Sequence, residues 1–155
     1  MRKGKREHSE FYSAQSPFKA IEGVDTWPFM RLSPCSVWVL TRFYCKWDGK
    51  IKNRTNLSLT YKEIRDTMSG VVFLRSIWEL IGYGFLDVRR FGRLERNASL
   101  YALSSRWRSL NDPEKCGDIE NTLREIRNLQ RERSVSGKRA QLSALRHRLL
   151  GRTNA

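Results

Sequence analysis

Four arginines in a short stretch after residue 85 have side chains suited to binding anions. They are Arg89, Arg90, Arg93 and Arg96, and only Asp87 and Glu95 oppose them. An arginine guanidinium binds phosphate oxygens through several N–H donors, and a row of arginines neutralises a nucleic-acid backbone. A strand that only needs protection from edge-to-edge pairing could use charges of either sign. The bias towards arginine therefore favours phosphate contact.

The composition of the whole chain has the same bias. Of 155 residues, 30 are Lys or Arg and 16 are Asp or Glu, which gives a formal net charge of +14. Most of this excess lies between residues 31 and 110. A fold does not require it, whereas a polyanionic partner explains it. An anionic membrane usually needs a basic amphipathic helix with aromatic anchors, or a lipidation signal, and no stretch combines these features.

The segment that holds the arginines is predicted to begin with a helix. Ser33 is a good N-cap, Pro34 suits the first helical position, and Asp48-Gly49 ends the helix. Its predicted inward face consists of Val37, Leu40, Tyr44 and Trp47. A polar loop then carries Lys50, Lys52 and Arg54.

A short strand and a second helix follow this loop. Leu57 and Leu59 alternate as in a half-buried strand, and Thr60 with Glu63 forms a capping box. The second helix is predicted to run to Met68 and to be broken by Ser69-Gly70. Its predicted inward residues are Tyr61, Ile64 and Met68.

A third helix, residues 71–82, leads into a hairpin wing at residues 85–103. The predicted core face of the helix is Phe73, Ile77, Leu80 and Ile81. Gly82 and Gly84 both suit a helix C-terminus, where a positive φ is commonly needed. The runs FLDVRRF and ASLYALS are compatible with strands, and the polar run between them predicts an antiparallel pair.

This order of elements predicts a winged helix-turn-helix, an α+β fold that is mainly helical. The run NLSLTYKEIRDTMSGVVFLRSIWELIGYGFLDVRRFG, followed by SLYALSSRW, resembles winged-helix proteins of bacterial mobile elements, phages and plasmids, which include replication-initiator-like and regulatory proteins. The resemblance covers roughly residues 29–110. The residues that carry it are Ser69, Arg75, Glu79-Leu80 and Gly84-Phe85. It implies a sequence-specific protein that binds double-stranded DNA and acts in transcription regulation or DNA replication.

The winged-helix order also predicts which residues contact DNA. The third helix is expected to enter the major groove, about 12 Å wide, while the wing grips the backbone. Arg75 is the best candidate for a base-edge contact, with guanine as its natural partner. The full predicted DNA-binding set is Lys50, Lys52, Arg54, Ser69, Val72, Arg75, Ser76, Glu79, Arg89, Arg90, Arg93 and Arg96.

Apolar residues cover about half of the third helix, which is unusual for a helix that reads DNA. Val71, Leu74 and Trp78 lie beyond the core arc. They could contact thymine methyls, be covered by one of the terminal segments, or form a dimer or partner surface. Burial within the chain or in a dimer is favoured over base reading.

The two terminal segments lie outside the resemblance. Residues 1–28 are predicted to form a basic and aromatic arm that partly docks, and residues 111–155 a basic helical tail with a hinge at SVSGK. Narrow apolar stripes in the tail suit helix pairing, either on the body or in a homodimer, and a solvated tail is the alternative. The predicted partner surface combines Ile119, Leu123 and Ile126 with Val71, Leu74 and Trp78.

The sequence offers no residue set for catalysis. It lacks the P-loop, HExxH, GxSxG and CxxC motifs, and His8 and His147 are its only histidines. We therefore expect no enzymatic activity, metal, cofactor or small-molecule substrate. Neither a spanning apolar run nor an apolar region after the basic start is present, so a cytoplasmic protein without a membrane partner is expected, associated with the bacterial nucleoid if the resemblance holds.

Two other classes of function remain open. A basic chain with aromatic residues can be an RNA-binding or ribosome-associated module, with Phe85, Phe91 and Tyr101 as candidates for base stacking. A winged helix can also be a protein-interaction adaptor that uses Val71, Leu74 and Trp78 as its contact.

Overall fold

The computed structural model describes residues 21–92, 98–131 and 136–151. Its elements in chain order are α1 (Trp27–Met30), α2 (Pro34–Lys46), α3 (Tyr61–Ile64), α4 (Gly70–Gly82), β1 (Leu86–Arg90), β2 (Leu100–Leu103), α5 (Pro113–Arg131) and α6 (Ser136–Gly151), with short 3-10 segments at Ile51–Thr55 and Arg106–Arg108. The fold is α+β and mainly helical, as predicted. None of the described helices is both long and apolar enough to cross a membrane.

Helix α2 begins where its capping chemistry predicts. The Ser33 hydroxyl accepts a hydrogen bond from the Ser36 backbone N–H at 3.3 Å, and Pro34 is the first helical residue. The predicted buried face is wrong in part. Val39 and Phe43, which were not predicted, are fully buried, whereas Val37 and Trp47 are only partly buried. Two overlapping apolar stripes share this helix, and its partners select between them. The helix ends at Lys46, shortly before the predicted Asp48-Gly49.

The short strand predicted after α2 is reduced to a single bridge. Leu57 and Tyr101 exchange backbone hydrogen bonds of 2.9 and 2.8 Å, so Leu57 lies on the side of β2 opposite to β1. The predicted burial of Leu57 and Leu59 is confirmed. Helix α3 is also shorter than predicted. Its Tyr61 is 47% exposed instead of inward, because the ring lies against Gly70.

Two glycines at the end of α4 serve different purposes. Gly84 has a φ of +79°, and a Cβ there would lie 2.7 Å from the Trp107 backbone nitrogen, so only glycine fits. Gly82 is the last residue of the helix and was predicted wrongly as a residue of positive φ. Its missing side chain instead allows close packing, because a Cβ there would lie 3.1 Å from Ile119 Cγ2.

The predicted hairpin is present, with an irregularity at its outer end. Leu86 faces Leu103 and Val88 faces Tyr101, but the register shifts between Val88 and Arg90. Arg89 is therefore the extra residue of a β-bulge. The predicted contacts Arg93 and Arg96 lie outside the described residues.

The C-terminal helices α5 and α6 pack against α4 and share its core. Ile119 is fully buried, and Leu123, Ile126 and Leu149 are at most 6% exposed in the same apolar cluster. The prediction that Ile119, Leu123 and Ile126 form a partner or dimer surface is therefore wrong. The alternative, packing back on the body, is the one observed. Packing against α4 removes these apolar side chains from water within one chain, without a partner.

The start of the described chain also docks on the body. Glu22 forms ion pairs with Arg54 and Arg108, at 3.6 and 3.3 Å, and Gly23 packs on the Trp107 ring. The expectation of partial docking thus holds for residues 21–28. The rest of the predicted arm, residues 1–20, lies outside the described part of the chain.

Candidate nucleic-acid interface

Helix α4 is exposed only at its N-terminal end. From Ser76 onwards every residue except Glu79 is buried, whereas Val71 is 63% exposed and Leu74 is 43% exposed. We call Gly70, Val71, Leu74 and Arg75 the α4 edge. The buried half results from enclosure by α2 on one side and by α5 and α6 on the other. Within α4, only the α4 edge is therefore accessible to a partner molecule.

Trp78 was predicted as part of a partner surface, and the structure corrects this. Its side chain is 5% exposed, and the Arg146 guanidinium of α6 lies 5.1 Å from the centre of its ring. Leu123 and Ile126 of α5 border the adjacent small cavity. The C-terminal segment thus covers Trp78 but leaves Val71 and Leu74 exposed.

Two predicted DNA contacts on α4 have structural roles instead. Ser76 is 1% exposed and lies in the core. The Glu79 carboxylate accepts hydrogen bonds from the Ser33 N–H at 2.7 Å, the Ser33 hydroxyl at 2.8 Å and the Ser36 hydroxyl at 2.7 Å. It thereby caps the N-terminus of α2, where a negative charge is favoured by the helix dipole. The predicted DNA contacts at Ser76 and Glu79 are wrong.

Of the three cations of the predicted loop, one is held against the body and two are exposed. Arg54 Nε donates to the Leu103 carbonyl at 3.0 Å, and the guanidinium lies 5.5 Å from the centre of the Trp47 ring. These contacts and the ion pair with Glu22 hold the side chain against the body, and the DNA contact of Arg54 stays a prediction. Lys50 and Lys52 are exposed, and the 3-10 segment that includes Lys52 contacts β2.

Ser69 and Val72 form the cap of α4. The Ser69 hydroxyl accepts a hydrogen bond from the Val72 N–H at 3.4 Å and so caps α4, while its DNA contact stays a prediction. Val72 is partly buried. The hydroxyl proton of Ser69 is the one side-chain hydrogen-bond donor that these two residues offer to a partner.

Arg75 lies partly buried at the junction of α4 and α5. It borders a cavity of about 10 Å³ together with Trp78, Glu79 and Arg127. Its Nε atom is buried and has no hydrogen-bond partner among the described residues. An unsatisfied buried donor is costly, and a cavity of this size holds one water molecule at most. Glu79 is the one carboxylate among the described residues that line this cavity, and both of its oxygens already accept hydrogen bonds from the start of α2.

The outer end of the hairpin meets the same side of α4. The Phe91 ring, 51% exposed, lies 6.3 Å from the Trp78 ring between centroids. At 100° per residue, Trp78 falls on the face that carries Val71, Leu74 and Arg75. The distance along the helix axis from Val71 to Trp78 is about 10 Å. The hairpin and the α4 edge therefore lie on one side of the molecule.

The exposed arginines of the hairpin are placed by the bulge. Arg89 and Arg90 are both exposed, and a bulge changes the direction of side chains relative to a regular strand. Asp87, the nearby acidic residue, forms an ion pair with Arg106 at 2.7 Å. The outer end of β1 therefore presents positive charge.

Sequence reasoning missed four further cations near this side. Lys62 and Arg65 are exposed on α3 and the turn that leads to the α4 edge, and the ion pair of Arg65 with Asp66 is loose at 3.9 Å. Arg127 and Arg146 are brought to Trp78 by α5 and α6. The first two could have been found from their position before the predicted turn. The other two depend on tertiary packing.

The sheet offers little to single-stranded RNA. Phe85 is 1% exposed and Tyr101 is 7% exposed, so of the three predicted stacking residues only Phe91 is accessible. Readers of single strands usually expose several aromatic side chains on a sheet or groove.

In the described part of the chain, no group of three His, Cys, Asp or Glu side chains is placed to hold a metal ion.

Comparisons of the chain with protein-family models, with curated proteins and with solved structures find no match. The resemblance to winged-helix proteins therefore stays a prediction from the residues that carry it.

Proposed function

We propose that the protein binds double-stranded DNA with the α4 edge in the major groove and the β1–β2 hairpin on the flanking backbone. The observation that carries this proposal is the contact between Phe91 and Trp78. It supports a single surface in which the hairpin and the exposed end of α4 meet one duplex together. The residues that carry the winged-helix resemblance extend the proposal to a transcription regulator or replication initiator of a bacterial mobile element.

The charges around this surface support a polyanionic partner. Two exposed cations, Lys62 and Arg65, precede the α4 edge in the chain. Two more, Arg89 and Arg90, are exposed on the hairpin. The carboxylates of the same elements are largely committed, since Glu63 pairs with Lys46, Glu79 caps α2 and Asp87 pairs with Arg106. The field that reaches solvent is therefore positive, which favours phosphate and counterion release.

The limited exposure of α4 fits insertion of its N-terminal end. In helix-turn-helix proteins the N-terminal residues of the recognition helix contact the base edges. Here only the first turn and a half of α4 is accessible, and α3 with its turn precedes it. Within the α4 edge, Arg75 is the one side chain able to donate hydrogen bonds to a base.

Binding to a random-sequence duplex across a salt series tests the proposal. Affinity should fall steeply with salt, with a slope of about 0.9 in log units for each phosphate neutralised. Arg90→Ala should reduce this slope by about 1 and weaken binding to all sequences alike. Arg42→Ala removes the same charge from the outward face of α2, where its guanidinium stacks on Trp38, and should leave the slope nearly unchanged.

Selection of bound fragments from a random DNA pool separates the role of Arg75 from that of the hairpin. Arg75→Ala should flatten the sequence preference, whereas Arg90→Ala should preserve it at lower affinity. Equal losses for Arg90→Ala and Arg42→Ala would show that binding is only a response to net charge. Stronger binding to structured RNA than to duplex DNA in direct competition would replace the proposal with the RNA-binding alternative.

A further inference from the structure

The α4 edge has almost no capacity to read bases through hydrogen bonds. Gly70 has no side chain, Val71 and Leu74 are apolar, and the Ser69 hydroxyl accepts the backbone N–H of Val72. Arg75 is the exception, and its Nε is already buried between α4 and α5. In the major groove, the base feature that an apolar side chain can recognise is the C5 methyl group of thymine.

The exposed apolar residues of the α4 edge form a compact group. Val71 and Leu74 are one turn apart on the same face, and Tyr61, 47% exposed, lies against Gly70 beside them. Lys62 and Arg65 flank this group on the preceding helix and turn, and Arg75 borders it on α4. A DNA-reading surface needs phosphate-binding cations beside its base contacts, and the net charge of +14 favours a polyanionic partner for this surface.

We propose that Val71 and Leu74 read thymine methyl groups in the major groove, so that the protein prefers duplexes with thymines at the positions that face the α4 edge. This inference rests on the proposed function, because it assigns a ligand to the same surface. The exposed cations Lys62, Arg65, Arg89 and Arg90 supply affinity for any duplex, and Val71 and Leu74 add discrimination among sequences to that of Arg75.

Replacing thymine with deoxyuracil tests the inference directly. Deoxyuracil keeps the pairing with adenine and the O4 acceptor and removes only the methyl group. Burial of one methyl group corresponds to about a fourfold change in affinity. The full chain should therefore bind a short A·T-rich duplex about fourfold more weakly for each contacted thymine that is replaced. A duplex in which cytosines carry a C5 methyl should bind more tightly than its unmethylated form.

Two variants locate the discrimination on the protein. Val71→Ala and Leu74→Ala should each reduce the ratio between the thymine and deoxyuracil duplexes, mainly by weakening binding to the thymine form. Val24→Ala is the matched control, since Val24 is an exposed valine at 44% that lies outside α4. It should leave the ratio unchanged. Alanine is favourable in helices, so the α4 variants should remain folded.

The outcomes separate this inference from the proposed function. Salt-dependent binding with equal affinity for the thymine and deoxyuracil duplexes would overturn methyl reading and leave DNA binding intact. Loss of discrimination in Val24→Ala as well would also overturn it. Self-association of the chain that disappears in Leu74→Ala, together with indifference to the methyl groups, would assign the surface to a second copy. Failure to bind the thymine duplex at low salt would overturn the proposed function itself.

Discussion

Substitution of Gly82 tests whether the C-terminal helices limit the exposed part of α4. Gly82 is the last residue of α4, and a Cβ there would lie 3.1 Å from Ile119 Cγ2, 3.5 Å from Leu149 Cδ2 and 3.6 Å from Leu123 Cδ1. The first of these distances is tighter than ordinary van der Waals contact. All three neighbours belong to α5 and α6, so the added methyl group reports on that packing alone.

Two effects of opposite sign decide the result of Gly82→Ala. Alanine is better than glycine in a helix by up to about 1 kcal/mol. Inserting a methyl group into a packed core costs about 1 to 3 kcal/mol. Ile119 and Leu149 are both at most 1% exposed, so they have little room to move aside. We therefore expect Gly82→Ala to be neutral or to lower the free energy of unfolding by up to about 2 kcal/mol.

Gly117→Ala provides the matched control. Gly117 lies within α5, and no atom lies within 4 Å of the Cβ that alanine would add. This substitution should raise the free energy of unfolding by about 0.5 to 1 kcal/mol, as for a glycine in an unstrained helix. Both variants are compared with the parent chain by urea denaturation. If Gly82→Ala stabilises the protein as much as Gly117→Ala does, α5 and α6 do not pack on α4, and the surface we assign to the α4 edge is too short.

Two further predictions concern titratable groups. The Lys46 ammonium, which bonds Glu63, lowers the pKa of that carboxyl from 4.5 to about 2, so its contribution to stability is present above about pH 4.5 and lost as the pH falls through about 2. Glu63→Gln should therefore lower the free energy of unfolding by up to about 1 kcal/mol at neutral pH, since the pair is partly exposed, and the difference from the parent in denaturation curves should vanish at the acid end. Burial raises the pKa of the Cys116 thiol, whereas Cys35 and Cys45 are exposed. A thiol reagent should label the two exposed cysteines rapidly and Cys116 only on unfolding, and fast labelling of all three would contradict the packing of α5.

The sequence predicted the elements whose ends depend on local chemistry. Ser33 caps α2, Thr60 and Glu63 form the capping box of α3, and Gly84 takes the positive φ at the turn from α4 into β1. Each of these positions is decided by residues a few places away, so pattern reasoning reached them. The hairpin followed from the same kind of local signal, except for the bulge at Arg89, which no residue type announced.

The contacts of α4 were harder to predict because they depend on distant segments. Glu79 was expected to contact DNA because it is polar and lies away from the apolar arc. Its actual partners, Ser33 and Ser36, are 46 and 43 residues earlier in the chain. Trp78 is covered by helices that follow the hairpin. A single sequence shows that a helix face is polar or apolar, but it does not show which other element faces it.

The enclosure of α4 has a consequence for recognition that the isolated helix would not have. Because α2, α5 and α6 fix the C-terminal half of the helix, the α4 edge is held at a set depth and angle relative to the hairpin. Ordering a surface on binding costs about 0.5 to 1.5 kcal/mol for each side chain immobilised, and a surface held in place beforehand avoids part of that cost. A helix that reads bases mainly through two apolar side chains gains little from each contact. For the thymine reading that we propose, rigid placement of Val71 and Leu74 therefore matters more than it would for a helix with several hydrogen-bonding readers.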